Sequence, residues 1–217
     1  MTPSSRGDDD AQPDEPLAAP LVGVFVGGRG ERMGGVVKGL LRTPSGVTIL
    51  DRLARVVKRA APDAELVLVG AHDGLEGNGW SRLPDDPDGQ GPLAGLSALL
   101  RAAAADGRSA IALASDLPFI TPSLFTRLVR EAETAPIYAP KLDGIFQPLF
   151  ARYTPDIVLP AVGEVLRSPR KSLLAVFDRV TPVEMPVDVD EAHALRDWDE
   201  PTDLPAPLRA QLPRKPR

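Results

Sequence analysis

Cysteine is absent from the 217 residues, which removes disulfides, thiolate nucleophiles and cysteine-ligated metal or iron–sulfur centres at once. Histidine is nearly absent too: His72 and His193 are the two imidazoles in the sequence, which makes a structural zinc site a poor fit. No apolar run approaches the roughly 18 residues that a membrane-crossing helix needs, and the opening MTPSSRGDDDAQPDEPLAAP carries no basic leader followed by an apolar core. A soluble, cytoplasmic protein with no membrane partner is expected. Positive charge is not in excess either. With 25 Lys and Arg against 30 Asp and Glu, the formal net charge is -5, which argues against a broad grip on nucleic acid and leaves room for a local basic pocket holding a small phosphorylated ligand.

The composition that is present, 43% hydrophobic and 25% charged residues, fits one globular α/β domain. Residues 1–19 are acidic and proline-rich, and residues 205–217 carry four prolines and several basic groups. Both stretches are too poor in large apolar side chains to offset their ordering entropy, so both read as tails around a domain at 20–204. Within it, short apolar runs alternate with amphipathic stretches, the pattern of β-α-β units and a mostly parallel sheet. Leu21–Val26 reads as a buried strand, and Ile49, Leu50, Leu53, Val56, Val57 and Ala60 recur at helical spacing until Pro62. Leu66–Val69 gives a second strand, residues 70–92 a polar loop, residues 94–105 an alanine-rich helix and Ala110–Ala114 a third strand. Further helices are expected near 123–133, 156–167 and 172–178, with a strand at 137–139, an apolar segment at 145–151 interrupted by Pro148, and a last strand around 182–187. Ligands of open α/β sheets lie beyond the carboxyl ends of the strands, so chemistry is expected in the loops after Val26, Val69 and Ala114.

The first of these loops runs Gly27-Gly28-Arg29-Gly30-Glu31-Arg32-Met33-Gly34-Gly35-Val36-Val37-Lys38. Its density of glycine lets backbone amides approach an anion closely. The dinucleotide fingerprint fails because Met33 stands where a small residue is needed, and the P-loop fails because no Lys directly follows the last glycine. After the third strand, Asp116 in Ser115-Asp116-Leu117-Pro118-Phe119 puts a hard oxygen ligand at a strand's carboxyl end, where it can hold Mg²⁺ or simply serve a turn. Gly91-Pro92-Leu93-Ala94-Gly95 reads as a helix start with Pro in its first turn.

Taken together these segments resemble the molybdenum cofactor guanylyltransferases, whose nucleotide loop has the form GGxGxRMG(G)xxK. The resemblance spans roughly residues 20–204. It implies an α/β Rossmann-like three-layer sandwich of the nucleotide-diphospho-sugar-transferase type, and a Mg²⁺-dependent transfer of GMP from GTP to molybdopterin. It implies that Arg32, Lys38 and Asp116 are catalytic. Gly27, Gly28, Gly30 and Lys38 would bind the phosphates, while Asp85, Gly91, Pro92, Leu93 and Gly95 would line the nucleoside. Asp116 is the expected metal ligand, with Asp199 of the Asp197–Leu204 closing segment as a second. Gln147-Pro148-Leu149 echoes an acceptor-side motif, and a molybdoenzyme or chaperone that receives the product is the protein partner implied. The sequence departs from the family at Val37, where Asp usually precedes the Lys. A cytidylyltransferase of the same fold, or a nucleotide-binding relative impaired by Val37, remains as the alternative reading.

Overall fold

The computed structural model describes residues 18–26, 37–70, 75, 81–83, 91–198, 200–209 and 212. Its centre is β1 (Leu21–Phe25), buried at all five positions. On one side β1 pairs in parallel with β2 (Glu65–Val69), and β2 with β3 (Ser81–Leu83). On the other side β1 pairs in parallel with β4 (Ala110–Ala114). The sheet then changes character: β7 (Phe150–Tyr153) lies antiparallel between β4 and β5 (Ile137–Leu142), β6 (Ile145–Phe146) is the hairpin partner of β5, and β8 (Val183–Met185) pairs in parallel with β5. The sheet is therefore mixed, with the parallel arrangement expected from the sequence holding in its first half.

Alternation along the strands sorts side chains into two cores, one on each face. Val22, Val24, Ile111 and Leu113 face α1 (Ile49–Ala60), α3 (Pro122–Arg130) and α6 (Val189–Ala194). Leu21, Phe25, Ala110 and Ala112 face α2 (Pro92–Ala105), α4 (Pro155–Arg167) and α5 (Leu173–Phe177). This is the three-layer sandwich the sequence implied. On the second face the close approach of α2 depends on Gly95: a Cβ there would stand 2.7 Å from Val69 Cγ1 and 3.1 Å from Phe25 Cε1. Gly95→Ala is expected to lower unfolding free energy by about 1–3 kcal/mol, read from denaturant titration, and an unchanged midpoint would mean that α2 shifts without strain.

Several elements depart from the sequence reading, three of them near the sheet. β3 falls inside the stretch expected to be loop, because Ser81-Arg82-Leu83 is an exposed edge with no apolar run to betray it. The segment 137–146 is a hairpin turned by Asp143 (φ 50) and Gly144 (φ 78), an Asp-Gly pair suited to a tight two-residue turn. The third helix stops at Arg130 rather than 133. Buried Arg152, 3% exposed, reaches from β7 to the carbonyls of Val129 (2.7 Å), Glu131 (2.8 Å) and Ala132, and takes over their hydrogen bonding. Beyond residue 204, a one-turn helix α7 (Ala206–Arg209) donates from Arg209 to the Thr202 and Leu204 carbonyls, and Leu208 and Leu212 pack on the first core.

Candidate functional site

The parallel register aligns Phe25 with Val69 and with Ala114, so the three loops singled out by the sequence leave the same edge side by side. The alignment persists past the strand ends, where Val26 N–H donates to the Val69 carbonyl (3.0 Å) and Ser115 N–H to the Phe25 carbonyl (3.3 Å). The glycine loop opens after Val26. Of its expected site residues, Gly27, Gly28, Gly30 and Arg32 lie outside the described residues, as do Asp85, Asp199 and His72.

Where the described chain resumes, Lys38 starts a short 3-10 turn, Lys38–Leu40. Two contacts seat this turn on α1. The Ile49 N–H donates to the Leu41 carbonyl (3.0 Å), and buried Gly39 sits so close to Leu50 that a Cβ would lie 2.7 Å from Leu50 Cγ. Thr48 caps α1 by accepting from Asp51 N–H at 3.1 Å. Val37, where the sequence departs from the family it resembles, packs partly buried against the first core.

From the turn, Lys38 Nζ reaches across the sheet edge to Asp116 Oδ2 at 2.9 Å, and the two side chains are 20% and 18% exposed. The sequence placed both residues at the phosphate end of a nucleotide, and the fold brings them into direct contact although they lie far apart in the chain. A partly exposed pair of this kind contributes about 0–1 kcal/mol to folding. Its value is to hold a cation and a carboxylate in fixed positions on an open rim.

The Asp116 loop is pinned from both sides. The Trp198 N–H donates to the Asp116 carbonyl at 3.0 Å, while Arg52 of α1 donates from Nε to the Pro118 carbonyl and from Nη2 to the Ile120 carbonyl (3.0 Å). Phe119 stacks on His193 with ring centroids 5.6 Å apart and meets buried Trp198 edge-on at 5.9 Å. The closing segment thus lies against the Asp116 loop, with Trp198 immediately before the Asp199 position. Arg52, Trp198 and His193 were not singled out by sequence reasoning. Arg52 acts on carbonyls, which leave no residue pattern, whereas the Ser115–Phe119 segment singled out in the sequence did carry Phe119.

The closing segment is itself anchored by α6, whose capping box joins Asp188 and Glu191 through bonds of 2.8 Å and 3.2 Å. Arg127 of α3 ties this helix down, with Nη1 2.6 Å from Glu191 Oε2, Nη2 donating to the Pro186 carbonyl (2.9 Å) and Nε to Glu131 Oε1 (2.9 Å). Tyr138 adds a donation to Glu131 Oε2 at 2.6 Å. Hydrogen bonds from Arg127 and then Tyr138 hold the Glu131 carboxyl below its ordinary value, and burial pushes the Tyr138 hydroxyl up to about 12. Glu131 therefore binds its proton more weakly when folded. Its contribution to stability is complete above the unfolded carboxyl pKa of about 4.3 and is lost as pH falls through the lower folded value. Glu131→Gln is expected to flatten the acid limb of the melting temperature plotted against pH, and a limb of unchanged slope would assign acid unfolding to other groups.

The remaining expected residues divide by face. Gly91 and Pro92 are exposed at the start of α2, whereas Leu93 is 3% exposed and, like Gly95, faces the sheet. Gln147-Pro148-Leu149 borders the same rim, since the Ala114 N–H donates to the Leu149 carbonyl (2.7 Å) just before Ser115 and Asp116. Among the described residues no group of three or more His, Cys, Asp or Glu side chains is placed to hold a metal ion. A single carboxylate at the strand end, paired with Lys38 until a cation and phosphates arrive, does fit Mg²⁺, which takes one or two carboxylates and fills its shell with water and substrate phosphates. Among the described residues no helix is long and apolar enough to cross a membrane.

Comparison with known proteins identifies the family and the fold. The sequence profile of the MobA-like NTP transferase domain matches residues 22–180. A probable molybdenum cofactor guanylyltransferase of Opitutus terrae is 31% identical over 191 residues, covering 86% of this chain and 94% of the relative. Its counterpart in Pelotomaculum thermopropionicum is 32% identical over 161 residues, covering 72% and 74%. The crystal structure of molybdopterin-guanine dinucleotide biosynthesis protein A from Archaeoglobus fulgidus superposes with a TM-score of 0.67 at 23% identity, covering 84% of this chain and 93% of that one, a likeness of fold.

Proposed function

The chain belongs to the MobA-like NTP transferase family, and on that premise we propose that it is a Mg²⁺-dependent guanylyltransferase that joins GMP from GTP to molybdenum-loaded molybdopterin. An oxygen of the terminal molybdopterin phosphate attacks the α-phosphorus of GTP. A new P–O bond forms there, the bond from the α-phosphorus to the bridging oxygen breaks, and pyrophosphate leaves with that oxygen. No covalent enzyme intermediate is needed.

The observation that carries the reading is the contact of Lys38 with Asp116 on the rim shared by β1 and β4. Lys38 exchanges its carboxylate partner for nucleotide phosphate and, with Arg32 and the amides of Gly27, Gly28 and Gly30, offsets charge spread over the phosphoryl oxygens in the transition state. Asp116, released from Lys38, would hold Mg²⁺, which would supply further charge neutralisation at the phosphates. The exposed start of α2 at Gly91 and Pro92, with Asp85, borders the nucleoside, and the acceptor phosphate enters beside Gln147. Catalysis on this reading comes from in-line positioning and electrostatics.

The test is pyrophosphate release from GTP, CTP and ATP separately, with and without Mg²⁺ and with and without molybdenum-loaded molybdopterin. Release from GTP alone, requiring both additions, is the expected result. Release from CTP alone would make the protein a cytidylyltransferase, and silence with all three despite nucleotide binding would point to another acceptor or to a relative that has lost catalysis.

A further inference from the structure

We propose that Arg52 is a positioning residue for Asp116, and that the start of helix α1 sets the spacing of the Lys38–Asp116 pair. The inference rests on the proposed role of that pair and extends it to a residue outside the nucleotide loop. Arg52 sends two separate donors, Nε and Nη2, to the carbonyls of Pro118 and Ile120, two and four residues beyond Asp116. Among the described residues no carboxylate pairs with its guanidinium, so its directional bonding goes wholly to the loop. Three residues earlier in the same helix, the Ile49 N–H holds the Leu41 carbonyl at the end of the Lys38 turn, and Leu50 packs on Gly39. One rigid helical turn therefore grips the lysine's segment with its first residues and the aspartate's loop with its fourth.

The planar fork of arginine suits this task, because it offers two donors at a fixed angle; a lysine ammonium, a point donor on a flexible stem, cannot hold both carbonyls in one geometry. With Trp198 N–H already bonded to the Asp116 carbonyl, loss of Arg52 leaves the loop attached on one side. The Asp116 carboxylate then wanders relative to Lys38, while the freed Pro118 and Ile120 carbonyls find water at little cost to overall stability. The site of Arg52 is reachable from solvent through a groove of about 270 Å³ lined by Ser45, Val47, Arg55, Val56, Arg59 and Pro122, so guanidinium at millimolar concentration can enter the space that a truncated side chain vacates, against the charge of Arg55 and Arg59.

The full-length wild-type protein, Arg52→Ala and Arg52→Lys are compared by amide hydrogen exchange over residues 116–121, by Mn²⁺ affinity in the presence of GTP read from electron paramagnetic resonance, and by melting temperature. In Arg52→Ala the loop amides should exchange about tenfold faster and Mn²⁺ affinity should fall about tenfold, as expected for two lost hydrogen bonds, with exchange in β2 and α2 unchanged. Millimolar guanidinium should restore both readouts in Arg52→Ala and leave the wild type unaffected; Arg52→Lys should remain impaired. Wild-type exchange over 116–121 in the Ala variant, equal loosening of β2 and α2, or failure of guanidinium to restore the loop would each overturn the proposal. If the wild type itself binds no Mn²⁺ with GTP, the metal assignment fails, while loop exchange and its restoration still decide the role of Arg52.

Discussion

Replacing Lys38 by Ala is expected to lower pyrophosphate release on the order of 10²–10³-fold, the usual cost of removing one preorganised electrostatic donor. Folding should barely register the change. Lys38 and Asp116 are 20% and 18% exposed, and a pair of that kind stabilises a fold by about 0–1 kcal/mol, or less than about 4 °C in melting temperature for a domain of this size. Steady-state turnover set beside thermal unfolding of the same preparation separates the two effects. An undiminished rate would remove Lys38 from the site, and a collapse of melting temperature would show that the pair holds the fold together.

Asp116→Asn makes the complementary change, keeping the side chain's size and deleting its charge. Turnover is expected to fall by about 10²-fold, and the Mg²⁺ concentration giving half-maximal rate to rise about 10–10²-fold, the range for loss of an interaction with a charged group. The double variant should be only slightly slower than the worse single one, since residues acting as a unit are strongly non-additive. If Asp116→Asn kept both its rate and its Mg²⁺ response, the carboxylate on this rim would be a lysine partner and nothing more.

Both residues could be read from the amino-acid order because each belongs to a feature that sequence displays well. β1 and β4 are unbroken apolar runs, and both Lys38 and Asp116 follow such runs through loops of distinctive composition. Arg52 shows the opposite case. In the sequence it is one more basic residue beside the apolar stripe of α1, and its role depends on carbonyl groups more than sixty positions away, which every residue type carries. Leu93 and Gly95 fall between these extremes: the GPLAG segment is legible as a unit, but within it Gly91 and Pro92 are exposed while Leu93 and Gly95 pack inward. The antiparallel insertion of β7 was hidden because Pro148 divides an apolar run without revealing which half pairs with which neighbour.

The pairing order also has consequences during synthesis. β1 can pair with β2 once Val69 has emerged, but its other edge is complementary to Ala110–Ala114. At about 5–20 residues per second, the intervening forty or so residues take roughly 2–8 s to emerge. For that interval the most apolar strand of the nascent chain presents an uncovered row of amides and carbonyls, the kind of edge on which chains cross-associate. β4 in turn waits for β7, which arrives already close in sequence to its other partner β5. Slow translation between residues 70 and 110 would therefore prolong a vulnerable species, and a chaperone that shields β1 over this window would raise the yield of folded protein without touching the finished structure.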